Sequence, residues 1–294
     1  MKIGLCYTKN SPAGKYVLNN FKLGMKKHNE TIIEIHDFNS LEKYKYKIDI
    51  YVMFGWFSPS YSKFHKIKID KSLRYAVYGL KKQVVVIDTG FIGGANYCSI
   101  GLNNIKGKAN YGSIDCPEDR FKKLNLFIKD YKNNGNILIL GQNRFGVSCS
   151  EIDIFKWHIK ICRKTRELTE FPIIFRRHPR EKEKQSKSDF PPYVKISKNE
   201  AIIDDFNKAK YCISYTTNGA CQALLEGLYC ITFSKQSMIY RCSDHDLNVL
   251  KTGPTNFTLE QRQKLFNWIA YCQWSHEELQ QGICWDYVKN RILK

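Results

Sequence analysis

Apolar and polar positions along the first half of the chain alternate between two periodic patterns. Short apolar runs unbroken by polar residues, as at 83–88, are typical of buried parallel strands. Between them, apolar residues recur at helical spacing, as Val17, Phe21 and Met25 do. These patterns predict strands over residues 3–7, 31–36, 49–54 and 83–88. They predict a loop at 11–14 followed by a helix that contains residues 17–25, and further helices near 71–82 and 117–128.

The same alternation restarts after the polar, Gly-containing stretch 132–136, which is predicted to be a linker. Strands are predicted over 137–140, 171–175, 211–214 and 229–233, and a short helix over 219–227. A Ser or Thr followed three residues later by Glu or Gln predicts helix starts at Ser148, Ser197, Thr258 and Ser275. From Thr258 onward the chain is expected to be helical.

Strand–helix alternation on both sides of a linker predicts an α/β protein with two Rossmann-like, doubly wound domains. The expected boundaries are residues 1–131, residues 136–256 and a set of C-terminal helices, 257–294, that pack across both domains. Ligands of such sheets bind at the carboxyl ends of the strands, where the strand order reverses. A cleft shared by the two domains is therefore the expected reaction site.

Composition adds a strong positive charge to this picture. The chain has 47 Lys and Arg against 28 Asp and Glu, a net charge of +19, which favours an anionic partner. A codon bias toward Lys, Asn and Ile would explain part of the excess. The odd number of cysteines, 11, and the lack of a C-x-x-C pair argue against a disulfide framework and a structural zinc. No secretory signal or apolar run of spanning length is evident, so a cytoplasmic location is expected.

The first candidate site is the basic turn that follows the predicted strand 171–175. Arg176, Arg177 and His178 stand together there, and guanidinium groups match phosphate oxygens in two-point geometry. The alternative is a solvated basic turn of a basic protein. Strand-end loops are where α/β proteins bind ligands, which favours an anion site.

The second candidate is the loop that follows strand 211–214. Thr216, Thr217, Asn218 and Gly219 lead into a short helix, where hydroxyl groups and backbone N–H groups suit a phosphate. The alternative is an ordinary helix cap, which Thr and Asn also favour.

Together these motifs carry a resemblance. His-Pro after a strand, then Thr-Thr-x-Gly, then Ala-Leu-Leu-x-Gly and an apolar strand resemble the donor domain of GT-B glycosyltransferases. The similarity is greatest to the capsule Kdo transferases and to phage-encoded enzymes proposed to glycosylate hypermodified DNA bases. It covers residues 172–245 well and the rest of the chain loosely.

The resemblance implies that Arg176 and His178 bind the phosphates of a nucleotide-sugar donor. Thr216, Thr217 and Gly219 would hold phosphate or ribose. Gln222 stands where many relatives have a ribose-binding glutamate, and this departure removes a charge. The implied co-substrate is a nucleotide-sugar, with a UDP-sugar as first choice, and neither a metal nor a bound cofactor is expected. Residues 136–256 would bind the donor and residues 1–131 the acceptor.

The candidate base is Asp88, at the end of a buried strand and before Thr-Gly. An inverting transferase needs a base to deprotonate the acceptor hydroxyl, and Asp88 or, less favourably, His36 or Asp37 would supply it. His178 is the second candidate catalytic residue. The alternative for Asp88 is a turn cap.

A segment in which aromatic and basic residues alternate, with Trp56, Tyr61, Lys63 and Lys66, suits nucleic acid by stacking and phosphate contact. A surface loop with half-buried aromatic rings is the alternative. Charge and the phage-like motifs make DNA with a hydroxymethylated pyrimidine the expected acceptor, flipped out of its stack. A surface polysaccharide acceptor and a non-catalytic nucleic-acid-binding protein stay open. The oligomeric state is not indicated.

Overall fold

The computed structural model describes residues 1–8, 11–56, 73–144, 146–149, 151–181 and 185–293. The chain divides into two compact units. Unit 1 comprises residues 1–116 and 268–294, and unit 2 comprises residues 117–267. Each unit is built around one sheet.

Eleven strands form within the described residues: β1 (Lys2–Cys6), β2 (Thr31–Ile35), β3 (Ile50–Phe54), β4 (Val84–Thr89), β5 (Tyr97–Leu102), β6 (Asn136–Leu140), β7 (Ile173–Arg176), β8 (Val194–Ile196), β9 (Ala209–Ser214), β10 (Tyr229–Thr232) and β11 (Gln273–Ser275). The α-helices of the same residues are α1 (Pro12–Lys26), α2 (Phe38–Tyr44), α3 (Leu73–Gly79), α4 (Asp119–Lys123), α5 (Ile154–Arg166), α6 (Ile202–Lys208), α7 (Gly219–Leu225), α8 (Val249–Thr252), α9 (Leu259–Tyr271), α10 (His276–Gln281) and α11 (Ile283–Tyr287). A π-helical turn, Val288–Ile292, follows α11.

Unit 1 has a six-stranded sheet in the order β11-β5-β4-β3-β1-β2. Strands β1 to β4 are parallel, whereas β5 pairs antiparallel with both β4 and β11. The predicted parallel strands are confirmed. Strand β5 is not predicted from the sequence, because Gly101 interrupts its apolar run. Glycine is needed there, since a Cβ would come too close to Tyr111 and Ala109.

The prediction that the chain is helical from Thr258 onward is only partly correct for the C-terminal residues of unit 1. After α9 the chain adds β11 to the edge of the sheet through Trp274 and its neighbours, and only then forms α10 and α11. Trp285 is 1% exposed and packs edge-on against Phe21 of α1. Residues 268–294 are therefore part of the core of unit 1.

Unit 2 has a five-stranded, wholly parallel sheet in the order β10-β9-β6-β7-β8. Helix α5 packs Ile161 and Cys162 against the Ile137, Ile173 and Phe175 side of the sheet. The chain runs outward from β6 through β7 to β8 and then crosses to β9 and β10 on the other side. The strand order therefore reverses between β6 and β9.

Unit 2 begins earlier in the chain than the predicted linker at 132–136. The backbone N–H groups of Lys129 and Lys132 donate to the carbonyls of Leu225 and Gly227. Tyr131 stacks on Tyr229 with ring centroids 4.2 Å apart. These contacts attach residues 117–131 to unit 2.

Two of the four predicted helix caps have a different role in the structure. Thr258 and Ser275 cap helices as expected. Thr258 forms a reciprocal pair with Gln261, and Ser275 forms one with Glu278. Ser148 and Ser197 do not, because α5 begins after Asp153 and α6 after Ala201. Both serines hydrogen-bond to buried side chains instead.

The described cysteines are all free and, apart from Cys116, buried. Burial raises the pKa of Cys98 and Cys162 to about 12, so these thiols stay protonated at neutral pH. In the part of the chain that the structure describes, no helix is long and apolar enough to cross a membrane.

Helices α1 and α10 meet at a position where only glycine fits. A Cβ on Gly24 would overlap the Leu279 carbonyl oxygen and lie 2.9 Å from Gly282 Cα. We expect Gly24→Ala to lower the free energy of unfolding by at least about 1–3 kcal/mol, because the two backbones must move apart. Urea unfolding followed by tryptophan fluorescence measures this.

Gly79→Ala is the matched control. A Cβ at the end of α3 would meet no atom of the described residues within 4 Å. Alanine there should be neutral or add about 0.4–1 kcal/mol. Equal effects of the two substitutions would show that the α1–α10 approach is not tight.

Candidate functional site

The carboxyl edge of the unit 2 sheet contains the point at which strand order reverses. Two loops meet there: residues 141–144, which follow β6, and residues 215–218, which follow β9. Open α/β sheets bind ligands at such a reversal, because the two loops diverge and leave a crevice between them.

Gln142 joins the two loops. Its side-chain carbonyl accepts from the Thr216 backbone N–H at 2.9 Å, and its amide nitrogen donates to the Thr216 hydroxyl. The Thr216 hydroxyl in turn donates to Ser148 Oγ at 2.9 Å. All three side chains are buried, at 5%, 1% and 5% exposure.

This arrangement gives Thr216 a structural role in place of the phosphate contact predicted for it. Its N–H and its hydroxyl are both engaged inside the protein, so it holds the loop in place. The ligand contacts of the neighbouring Thr217, Asn218 and Gly219 stay a prediction. Neither Gln142 nor Ser148 is predicted from the sequence to be part of the site. The position of Gln142, directly after a strand and Gly141, is a sequence signal that would have indicated it.

Thr217, Asn218 and Gly219 are half-buried and follow Thr216 along the edge. The Gly219 N–H approaches Thr217 Oγ1 at 3.4 Å, and the Ala220 N–H donates to the Thr217 carbonyl. Gly219 is tightly packed, since a Cβ there would lie 3.2 Å from Leu140. Gln222 is exposed, one turn further along α7, and its contact with ribose stays a prediction.

His158, on α5, links this pair of loops to a third. It is 2% exposed, and its Nε2 accepts from the Gln142 backbone N–H at 3.2 Å. The proton is therefore on Nδ1, which donates to Gln185 Oε1 at 2.8 Å. Burial is the main reason that the pKa of His158 falls to about 4, so the ring is neutral at physiological pH.

Arg176 is committed to an internal ion pair. Its Nη1 lies 2.5 Å from Asp205 Oδ2, and the two side chains are 14% and 4% exposed. The guanidinium also donates to the backbone carbonyls of Asn199 and Glu200 at 3.0 and 2.7 Å. Arg176 thus fixes the loop after β8, and the geometry does not favour its predicted contact with phosphate.

Arg177 and His178 complete the loop after β7. Arg177 donates from Nε and Nη2 to the Gln185 carbonyl, at 3.0 and 2.6 Å. His178 is half-buried and its Nδ1 accepts from the Arg180 N–H at 3.1 Å. The Gly141 N–H donates to the Arg176 carbonyl at 2.7 Å, so the loops after β6 and β7 are neighbours. His178 is close to this contact, since a Cβ on Gly141 would lie 3.3 Å from the His178 backbone nitrogen.

Unit 1 has its own carboxyl edge. Asp88 is the last but one residue of β4 and is half-buried, and its Oδ1 accepts from the Thr89 N–H. Arg74 donates to the Phe54 carbonyl at 2.8 and 3.1 Å and to Thr8 Oγ1 at 3.3 Å. Burial lowers the pKa of Arg74, and the charge of Asp88 partly offsets this.

The remaining predicted residues of unit 1 are only partly described. Trp56 is half-buried and packs edge-on against Tyr78, with ring centroids 5.8 Å apart. Tyr61, Lys63 and Lys66 lie outside the described residues. Asp37 caps α2, and His36 stacks on Tyr7 and pairs with Glu34. No group of three or more His, Cys, Asp or Glu suited to a metal ion occurs among the described residues.

The arrangement of strands has counterparts among solved structures. Thermosulfurimonas dismutans KpsC, beta Kdo 2,7 transferase, aligns with a TM-score of 0.54 and 13% identity over 97% of this chain and 99% of that one. The KpsC beta Kdo 2,4 transferase from the same organism aligns with a TM-score of 0.53 and 11% identity, over 92% and 90% of the two chains. The fold is therefore of the GT-B type, as predicted. No protein-family model and no curated protein sequence matches this chain.

The ion pair of Arg176 leads to a prediction about stability. We expect Arg176→Ala to lower the free energy of unfolding by about 3–5 kcal/mol, because it leaves the buried Asp205 carboxylate without its charge partner. Urea unfolding measures the loss, and Arg176→Ala combined with Asp205→Asn should recover part of it. If Arg176→Ala greatly lowers donor affinity and leaves the free energy of unfolding unchanged, Arg176 contacts the donor phosphate, as the sequence predicted.

His158 leads to a prediction about pH. Its folded pKa, about 4, lies below the ordinary 6.5, so between these values the unfolded chain binds a proton that the folded chain does not. Stability contributed by the neutral ring is complete above pH 6.5 and falls as the pH drops toward 4, by at most about 1.4 kcal/mol per pH unit.

Unfolding in urea at pH 7.0 and pH 5.0 tests this. His158→Asn should lower stability at pH 7.0 and make the difference between the two pH values smaller than in the unsubstituted protein. A pH difference in His158→Asn as large as that of the unsubstituted protein would contradict the assignment.

Proposed function

We propose that this protein is a nucleotide-sugar-dependent glycosyltransferase whose donor binds at the carboxyl edge of unit 2. The observation that carries the proposal is the reversal point between β6 and β9, where buried hydrogen bonds hold three loops together. Preorganised loops at such a position suit a ligand that must be held while its bond breaks. The GT-B type of fold supports the same reading.

The donor diphosphate is proposed to lie against Thr217, Asn218 and Gly219 on one side and His178 on the other. Backbone N–H groups and an imidazole suit developing negative charge on the leaving nucleotide. The exposed guanidinium groups of Arg144 and Arg180 add positive charge at this edge, in place of the committed Arg176. No metal is invoked.

Asp88 of unit 1 is the proposed base. An acceptor hydroxyl oxygen attacks the anomeric carbon of the sugar, and the bond from that carbon to the phosphate oxygen breaks. The hydroxyl proton passes to the Asp88 carboxylate, and the nucleotide leaves with the electron pair of the broken bond. The end of a buried strand gives Asp88 a fixed position for this role.

The acceptor is proposed to be anionic, and a hydroxymethylated pyrimidine in DNA is the first to test. The net charge of +19 and the basic, aromatic segment that begins at Trp56 support this choice. A surface glycan is the second candidate, because the two KpsC structures named above are Kdo transferases. A binding protein without turnover is the third.

Nucleotide release measures the proposed activity. The protein is incubated with UDP-, GDP- and CMP-activated sugars, each with hydroxymethylated DNA, unmodified DNA or an acidic oligosaccharide, and the products are separated by mass. We expect one donor and one acceptor class to give a sugar-bearing product. Asp88→Asn should lower kcat by about 10²–10⁴-fold without changing the donor KM.

His178→Ala should raise the donor KM, whereas Lys164→Gln, on the exposed side of α5, should change neither constant. Transfer to unmodified DNA would reject the hydroxymethyl acceptor, and transfer to the oligosaccharide alone would select the glycan. Binding of DNA with no nucleotide release from any donor would make the protein a binding module.

A further inference from the structure

Unit 2 has a concave feature beside its edge strand, β8, away from the loops after β6 and β9. This feature, the basic groove, has a volume of about 700 Å³. It begins at the carboxyl ends of β7 and β8, near Arg177 and Ser197, and extends to Asn136 and Lys208 at the other end of the strands. The volume is in the range of pockets that hold one small molecule.

Positive charge dominates the rim of the basic groove. Lys187, Lys195, Lys198 and Lys208 are all exposed, and Arg177 lies among them. Among the described residues that line the groove the one carboxylate is Asp205, which pairs with Arg176 and also accepts from Ser197 and Asn199. Its charge is therefore compensated within the protein, and the described lining carries a net positive charge.

The floor of the basic groove is aliphatic. Ile174 pairs in register with Leu138 and Lys195, so these three side chains share one face of the sheet. Ile174 is partly exposed there, Leu138 is buried beside it, and Pro192 in the lining is exposed. None of the described residues that line the groove is aromatic. Nucleic-acid-binding grooves gain affinity from bases stacked on aromatic rings, and this groove offers no such surface.

We propose that the basic groove binds one anionic lipid molecule. Its phosphate group contacts the lysine ammonium groups, and its hydrocarbon chain covers Ile174 and Pro192. Ammonium groups on flexible stems bind a phosphate as point charges, and the aliphatic floor removes hydrocarbon from water. This site is separate in its chemistry from the proposed donor site and does not depend on sugar transfer.

Lysines on an edge strand also have a structural use, since they discourage pairing with another sheet. That use accounts for Lys195, which lies on β8. It does not account for Lys187, Lys198 and Lys208, which lie on other segments and converge on the same groove.

Calorimetric titration of the protein with octyl phosphate tests the proposal. The comparison ligands are inorganic phosphate, which lacks the chain, and octyl glucoside, which lacks the charge, all below micellar concentration. We expect octyl phosphate to bind at least about tenfold more tightly than either. The floor variant Ile174→Thr should weaken octyl phosphate and leave inorganic phosphate unchanged.

The rim variant Lys195→Gln with Lys198→Gln should weaken octyl phosphate by about tenfold or more, since charge-assisted contacts are lost. The matched control is Lys160→Gln with Lys164→Gln, which removes the same charge from the exposed side of α5, outside the groove. The control should bind as the unsubstituted protein does, and unfolding curves check that all variants are folded.

Three results would overturn the proposal. Equal weakening in the rim variant and the control would mean general attraction to a basic surface. Inorganic phosphate binding as tightly as octyl phosphate would mean that the aliphatic floor is not used. A single-stranded oligonucleotide that displaces octyl phosphate at lower concentration, and loses affinity in the rim variant alone, would assign the groove to nucleic acid.

Discussion

The side chain of Gln142 is the interaction on which the candidate site depends, because it joins the two strand ends between which the unit 2 sheet reverses its order. Its carbonyl and its amide nitrogen both reach Thr216, and its backbone N–H reaches His158. Each of these groups is buried, so leaving any one of them unpaired would cost the full penalty of its desolvation. The network therefore stabilises a single arrangement of the loops after β6 and β9. His158 extends that arrangement to the loop after β7 through Gln185.

The positive charges of this chain divide into two kinds. Arg176 and Arg177 are used internally, because one planar guanidinium can donate to several backbone carbonyls of an irregular loop at once. The lysines around the basic groove keep their ammonium groups in water and contribute a field toward solvent. Net charge thus describes the second kind, whereas the first kind is part of the fold. Arg176 and Arg177, which stand directly before His178 in the sequence, hold the loops after β7 and β8 in shape.

Unit 1 follows the same principle with different residues. Arg74 joins the ends of β1 and β3 through Thr8 and the Phe54 carbonyl, close enough to Asp88 to feel its charge. Gln273, from the strand that the C-terminal residues add, accepts from the N–H groups of Phe91 and Ile92 in the loop after β4. In both units, a buried polar side chain from a distant part of the chain holds the loops at a carboxyl edge. Such loops are positioned by the sheet and by these side chains together.

The sequence by itself determined the strands β1 to β4, β6, β7, β9 and β10, the two α/β units and the loops at their strand ends, because hydrophobic period and turn chemistry are local. It also identified the loop 216–219 as part of the candidate site. It did not give β5, β8 or β11, which are short or interrupted and exist through pairing with neighbours. Only the tertiary structure decided that residues 117–131 belong to unit 2, that Ser148 and Ser197 serve buried networks, and that Arg176 faces Asp205. The reason is physical: whether a polar side chain binds a ligand or the protein depends on which carbonyls and carboxylates, far away in sequence, folding brings within hydrogen-bond distance.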